Sequence, residues 1–120
     1  MTFTLPKPIS VNQLYRYTCR GGFPSHYTSD IGKAWFTKAS YLLKPQYKKH
    51  TPMKGDISMY IKLYICGRFD IDNGNKATLD LLVKCGVIED DSQIVFLQIE
   101  KIKVKHKEDQ KMEIEIDIIN

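Results

Sequence analysis

The clearest pattern along the chain lies at Ile57–Ile65, where Ile57, Met59, Ile61, Leu63 and Ile65 alternate with Ser58, Tyr60, Lys62 and Tyr64. A period of two over nine residues predicts a strand buried on one face. The end of the chain repeats it, with Met112, Ile114, Ile116 and Ile118 on one side and Glu113, Glu115 and Asp117 on the other. Thr2–Leu5 reads as a short strand stopped by Pro6 and Pro8. Residues 94–105 read as a further strand whose apolar phase moves from Val95, Leu97 and Ile99 to Ile102 and Val104. That one-residue shift predicts a bulge near Glu100 and Lys101, and the polar segment 105–111 reads as a hairpin connection to the last strand.

Two segments carry helical spacing instead. Ser29 is a predicted cap for the backbone donors of Ile31 or Gly32, and Ala34, Trp35, Ala39, Leu42 and Leu43 follow on one face until Pro45 ends or kinks the helix. Ala77, Leu81 and Cys85 recur every four residues with Leu82 beside them, and Gly86 follows as a stop. Residues 10–24, with Gly21-Gly22, read as a loop. The expectation is an α+β fold in a single domain spanning residues 1–120, a mixed sheet of about four strands packed with two main helices.

Charge changes this picture because it is unevenly spread. Residues 1–65 hold ten basic and two acidic side chains, a net of +8, whereas residues 66–100 hold three basic and seven acidic ones, a net of −4. A basic surface attracts phosphate backbones through counterion release, and a carboxylate cluster alone repels them. Both suit one surface if the carboxylates hold metal ions. Three cysteines without CxxC spacing support neither a disulfide framework nor a zinc ribbon, which favours a reducing cytoplasm. The proline-bearing N-terminus does not read as a secretory signal, and no apolar run approaches the length of a membrane span.

The acidic island has two parts. In the first, Asp70 and Asp72 flank Ile71 just after the long strand; if the backbone there stays extended, both carboxylates face one side, about 6–7 Å apart. At an effective dielectric of about 20 they repel by roughly 2–3 kcal/mol, so a cation is the natural partner. Hard oxygen ligands with open positions suit Mg²⁺ or Mn²⁺. A calcium loop beginning at Asp70 fails, because its sixth and twelfth places hold Asn75 and Leu81 rather than Gly and Glu. His26, His50 and His106 are isolated and lack zinc spacing. Lys76 stands four residues from both Asp72 and Asp80, which makes either an i,i+4 charge ladder or a cation beside a metal site. In the second part, Glu89, Asp90 and Asp91 lead into the next strand; they form a hydrophilic turn or supply one more metal ligand, and spacing does not choose between Asp90 and Asp91.

Taken together, FDIDNGNKATLDLLVKCGVIEDDSQI at residues 69–94 resembles the D-x-D-N-x-x-K-x-x-x-D-x-L…DD-x-x-[IV] core of the RusA family of Holliday junction resolvases, which phages and prophages often carry. LPKPISVNQLYR at residues 5–16 resembles that family's opening motif. The resemblance implies a Mg²⁺- or Mn²⁺-dependent endodeoxyribonuclease that nicks opposing strands of a four-way DNA junction as a homodimer, in the cytoplasm of a bacterial or phage-infected cell. By the same resemblance Asp70, Asp72 and Asp91 are the metal-binding catalytic aspartates and Lys76 the essential lysine. Asp91 rather than Asp90 is the matching position, with Asp90 and Asp80 in support. Asn12, Tyr15, Arg16, Arg68, Asn73 and Lys101 are the implied DNA contacts. Phe69 stands where some relatives carry a basic residue, which implies a weaker grip on the backbone there. An apolar strand edge or the helix carrying Trp35 and Phe36 could supply the dimer interface. The rival readings are a nuclease for flaps or forks, a non-catalytic DNA-binding module whose carboxylates only shape the fold, and an acidic protein-interaction patch.

Overall fold

A computed structural model of the chain describes residues 1–119. Asn120, the last residue of the expected domain, lies outside the described residues. The chain runs β1 (Thr2–Leu5), α1 (Val11–Leu14), β2 (Tyr15–Arg20), β3 (Phe23–Thr28), α2 (Asp30–Gln46), β4 (Ile57–Ile65), α3 (Asn75–Lys84), β5 (Ile94–Lys103) and β6 (Lys111–Ile118). Four strands form a mixed sheet in the order β1-β6-β4-β5, with only β4 and β5 parallel. This is the expected α+β arrangement of four strands and two main helices, joined by a separate β2–β3 hairpin.

β4 is the spine. Its five odd-numbered side chains are at most 2% exposed, and burying each is worth about 1.5–3 kcal/mol relative to leaving it in water. Register carries that face outward to both neighbours: Met112, Ile114 and Ile116 of β6 stand beside Leu63, Ile61 and Met59, and Phe3 and Leu5 of β1 stand beside Ile114 and Met112. Trp35, Phe36, Ala39 and Leu43 of α2 and Ala77, Leu81 and Leu82 of α3 complete this core. The opposite face is polar and aromatic; Tyr64 there donates to Glu113 at 2.5 Å, and Tyr60 donates to Glu100. The Ser29 hydroxyl caps α2 by accepting from the Gly32 amide at 2.9 Å, as its spacing predicts. Pro45 lies inside α2, which ends one residue later at Gln46.

Three expectations give way. Residues 10–24 are not a loop: Val11–Leu14 is a helical turn capped by Ser10, and β2 and β3 pair across Gly21-Gly22, whose φ angles of 58° and 80° suit a tight hairpin turn. The bulge predicted near Glu100 and Lys101 is absent; pairing with β4 is continuous there, and the irregularity falls instead between Ile57 and Ser58, opposite Val95. The apolar phase changes because Lys101, paired with Leu63, takes a place on the helix-bearing side of the sheet, where its ammonium donates to the Phe69 carbonyl at 3.0 Å. Finally, β5 and β6 are not a hairpin, since β4 lies between them. Their connection crosses the end of β4, where the Cys66 amide donates to Gln110 Oε1 at 2.9 Å.

The opening segment ties the helices to the segment that follows β4. Trp35 Nε1 of α2 donates to the Lys7 carbonyl at 2.8 Å, and the Lys7 ammonium sits 4.7 Å from the centroid of the Phe69 ring. Pro8 packs so closely on Gly74 that a Cβ added there would lie 2.4 Å from the Pro8 Cγ. A proline ring cannot swing aside, so Gly74→Ala should destabilise the protein by about 1–3 kcal/mol through overpacking. Urea unfolding measures this; an unchanged midpoint would show that the opening segment does not rest on this glycine.

Candidate active site

The segment that leaves β4 does not stay extended. After Ile65 the chain bends at Cys66 and Gly67 and then turns through residues 71–74, with the Asn73 amide donating to the Asp70 carbonyl at 3.0 Å. Asp70 and Asp72 therefore sit on a turn and not on alternate positions of a strand. Both are exposed, and among the described residues neither carboxylate accepts a hydrogen bond or joins an ion pair. Two anionic groups left to water beside one helix start are available to a ligand.

Lys76 and Asp80 lie one turn apart on α3, and their Nζ and Oδ1 atoms are 3.0 Å apart. Asp72 precedes the helix and is not the partner, so the ladder read from spacing closes on one side only. The Asp80 carboxylate is only 17% exposed and has a second donor, the Tyr15 hydroxyl from the start of β2. Burial, and then this carboxylate, push the Tyr15 phenol up to about 12, so it remains a protonated donor at neutral pH. The Lys76 ammonium is held above its usual range, first by the hydrogen bond to Asp80, with Asp91 contributing at longer range. A charged lysine is thus fixed beside Asp72 by a chain of two hydrogen bonds that starts in the hairpin.

Around these residues lies a cleft of about 440 Å³, lined by Val11, Tyr15, Tyr17, His26, Asp72, Asn73, Asn75 and Lys76. Of the residues singled out in the sequence, Asp72, Asn73, Lys76 and Tyr15 line it, and Asp80 stands behind Lys76 and Tyr15. Arg16 alternates with Tyr15 and Tyr17 on β2 and so falls on the other face of the hairpin, where Nη1 donates to the Asn12 carbonyl at 3.0 Å. Asn12 and Arg68 are exposed but do not line the cleft. Lys101 is engaged with the Phe69 carbonyl and braces the Asp70 turn. Tyr17, His26 and Asn75 were not singled out by sequence; the alternation of Tyr15, Tyr17 and Cys19 ahead of Gly21-Gly22 was the available signal.

The second acidic element separates its two aspartates by role. Asp90 shapes the turn: its carboxylate accepts from the Ser92 hydroxyl, which holds it below the usual carboxylate range. Its own amide donates to Gln93 Oε1 at 3.0 Å, and Gln93 Nε2 donates to the Met53 carbonyl at 2.9 Å. Asp91 is exposed and opens a short 3-10 turn. Because β5 is parallel to β4, with Ile94 beside Ile57, Asp91 enters its strand at the end of β4 opposite to the one the Asp70 segment leaves. Among the described residues no three His, Cys, Asp or Glu side chains form a group able to hold a metal ion. The donors suit a hard divalent cation in kind, being exposed carboxylates, but Asp70, Asp72 and Asp91 are not drawn into one ligand sphere.

No curated protein matches the chain at a significant level. The family model described as "Endodeoxyribonuclease RusA" matches residues 6–118. That span takes in residues 69–94 and all but Leu5 of residues 5–16, the two segments that carry the resemblance, and these meet through Tyr15 and Asp80, Lys7 and Phe69, and Pro8 and Gly74. With nearly the whole chain covered, the protein belongs to the RusA endodeoxyribonuclease family.

Proposed function

We propose that the protein is a divalent-metal-dependent endonuclease that resolves Holliday junctions by paired nicks in opposing strands, in the service of DNA recombination and repair. The observation that carries this reading is the family match over residues 6–118, joined to a fixed lysine and the free Asp72 carboxylate at one cleft. Asp70, Asp72 and Asp91 would hold Mg²⁺ or Mn²⁺. When bound, the cation supplies charge neutralisation at the scissile phosphate and activation of water.

The remaining work falls to the chain's own groups. Lys76 presents a positive charge to the phosphate, and Asp80 keeps that charge in place, since an ammonium on a four-carbon stem would otherwise sample many positions. Tyr15 holds Asp80 from the hairpin side. Lys101 braces the turn that carries Asp70 and Asp72 through the Phe69 carbonyl. Asn12, Arg16 and Arg68 would contact the DNA backbone outside the cleft and Asn73 inside it, and Asp90 keeps the turn that presents Asp91. Cleavage would leave a 5′-phosphate and a 3′-hydroxyl.

Two opposing nicks call for two sites, and a two-fold homodimer provides them. Trp35 and Phe36 would not themselves make the interface, since both rings are more than nine-tenths buried in the core, although the same helix exposes Ile31 and Tyr41. The edge strand β5 supports the alternative: Val95 and Phe96 are 56% and 55% exposed on a strand with one free side. Action on chromosomal or phage DNA fits a cytoplasmic protein, and among the described residues no helix is long and apolar enough to cross a membrane. One observation favours a second reading, a DNA-binding module without catalysis: the three aspartates form no ready ligand sphere.

Two substitutions test the proposal. Asp70→Asn should lower cleavage of a synthetic four-way junction by at least roughly 100- to 1,000-fold while leaving binding intact or improved, because it removes a ligand and a negative charge together. Cleavage of the junction at the wild-type rate with Mg²⁺ would show that Asp70 is not a metal ligand. Asp80→Asn should lower the single-turnover rate by roughly 100-fold through a misplaced Lys76, with junction affinity retained. A loss confined to affinity would instead make Asp80 a binding residue.

A further inference from the structure

The cleft holds more than the proposed nuclease chemistry uses. Its outer wall is the β2–β3 hairpin, which pairs with no strand of the main sheet. Tyr17 and His26 are cross-strand partners on that wall, their ring centroids 6.2 Å apart and their planes tilted by 51°, and His26 also meets the Tyr15 ring edge-on at 4.9 Å. Tyr17 is 72% exposed, and among the described residues its hydroxyl makes no hydrogen bond. A large aromatic ring kept in water with an unused polar end is a platform without a load. Asn73, Asn75 and Lys76 line the same cleft.

Resting on the proposed action on branched DNA, we infer that this cleft seats one unstacked nucleobase next to the scissile phosphate, stacked on Tyr17 with the His26 ring at its edge. Each component of the cleft matches a part of a nucleotide. Aromatic faces accept the flat base, as in sites that hold single-stranded DNA. Carboxamides carry both a donor and an acceptor for a base edge, and a lysine takes the phosphate. The volume of about 440 Å³ lies within the range of about 300–1,000 Å³ common to small-ligand sites, too small for a duplex end. A fully paired duplex offers no free base face, while a branch point or a bulge gives one at little cost, so the seat favours interrupted DNA.

The test is fluorescence anisotropy in EDTA, where no cleavage occurs, on three labelled probes: a four-way junction, a duplex with a three-nucleotide bulge, and the same duplex uninterrupted. Tyr17→Ala should weaken binding to the bulged duplex and the junction by roughly 5- to 150-fold, the equivalent of about 1–3 kcal/mol of stacking. It should leave the uninterrupted duplex unchanged, and Tyr17→Phe should bind all three like the wild type. His26→Ala, on the other strand of the hairpin, should give the same selective loss, so the result does not hang on one variant's folding. Equal weakening on all three probes, or none on any, would overturn the base seat. A wild-type protein that prefers the bulge but not the junction would sink the junction reading and leave the seat standing; selective binding of the junction untouched by either substitution would do the reverse.

Discussion

A single half-buried carboxylate, Asp80, bridges the Tyr15 phenol and the Lys76 ammonium, and the cleft depends on that bridge. Its two partners come from segments about 60 residues apart in sequence, the opening motif and the helix that follows the acidic turn. Removing a carboxylate that serves two donors leaves both without a partner, which costs more than the loss of either bond alone. The opening segment adds two contacts of a different kind, the Lys7 ammonium over the Phe69 ring and the Pro8 ring against Gly74. Charge, hydrogen bonding and packing thus converge on one short turn, and the rest of the fold serves to bring their owners together.

The sheet supplies the frame but not the chemistry. β4 and its neighbours bury their helix-facing side almost completely, and the carboxylates lie on turns at the margins, where they remain in water. Solvated anions tolerate like-charged neighbours because water screens them; under a polyanion that screening would fall, and a cation would be the natural partner. On the proposed reading, assembly of a ligand set and engagement of DNA would be one linked event.

Strong periodicity was legible and weak periodicity was not. The nine-residue alternation of β4, the alternation of β6, the Ser29 cap and the spacing of α3 each led to an element with nearly its observed bounds, because burial on one face leaves a regular mark. The β2–β3 hairpin was missed because it buries little: nearly all its residues are exposed or half-buried, and Pro24 and the two glycines read as a loop. The phase change of β5 was visible but its cause was not, since a lysine that reaches the Phe69 carbonyl leaves the same mark as an inserted residue. In the site, sequence could not separate Asp90 from Asp91 by spacing; the contact that makes Asp90 a turn residue, its bond from Ser92, is a matter of geometry two residues away. Tyr17 left no mark for the same reason as its hairpin, and His26 reads from sequence only as an isolated histidine without zinc spacing.

The central claim is that Asp70, Asp72 and Asp91 close around a divalent cation. Anomalous diffraction from crystals grown with Mn²⁺ and a junction carrying an uncleavable phosphate tests it most directly. The account predicts manganese peaks bonded by carboxylate oxygens of all three aspartates, with Lys76 still paired to Asp80. Manganese held away from these residues, or by no more than one of them, would contradict it.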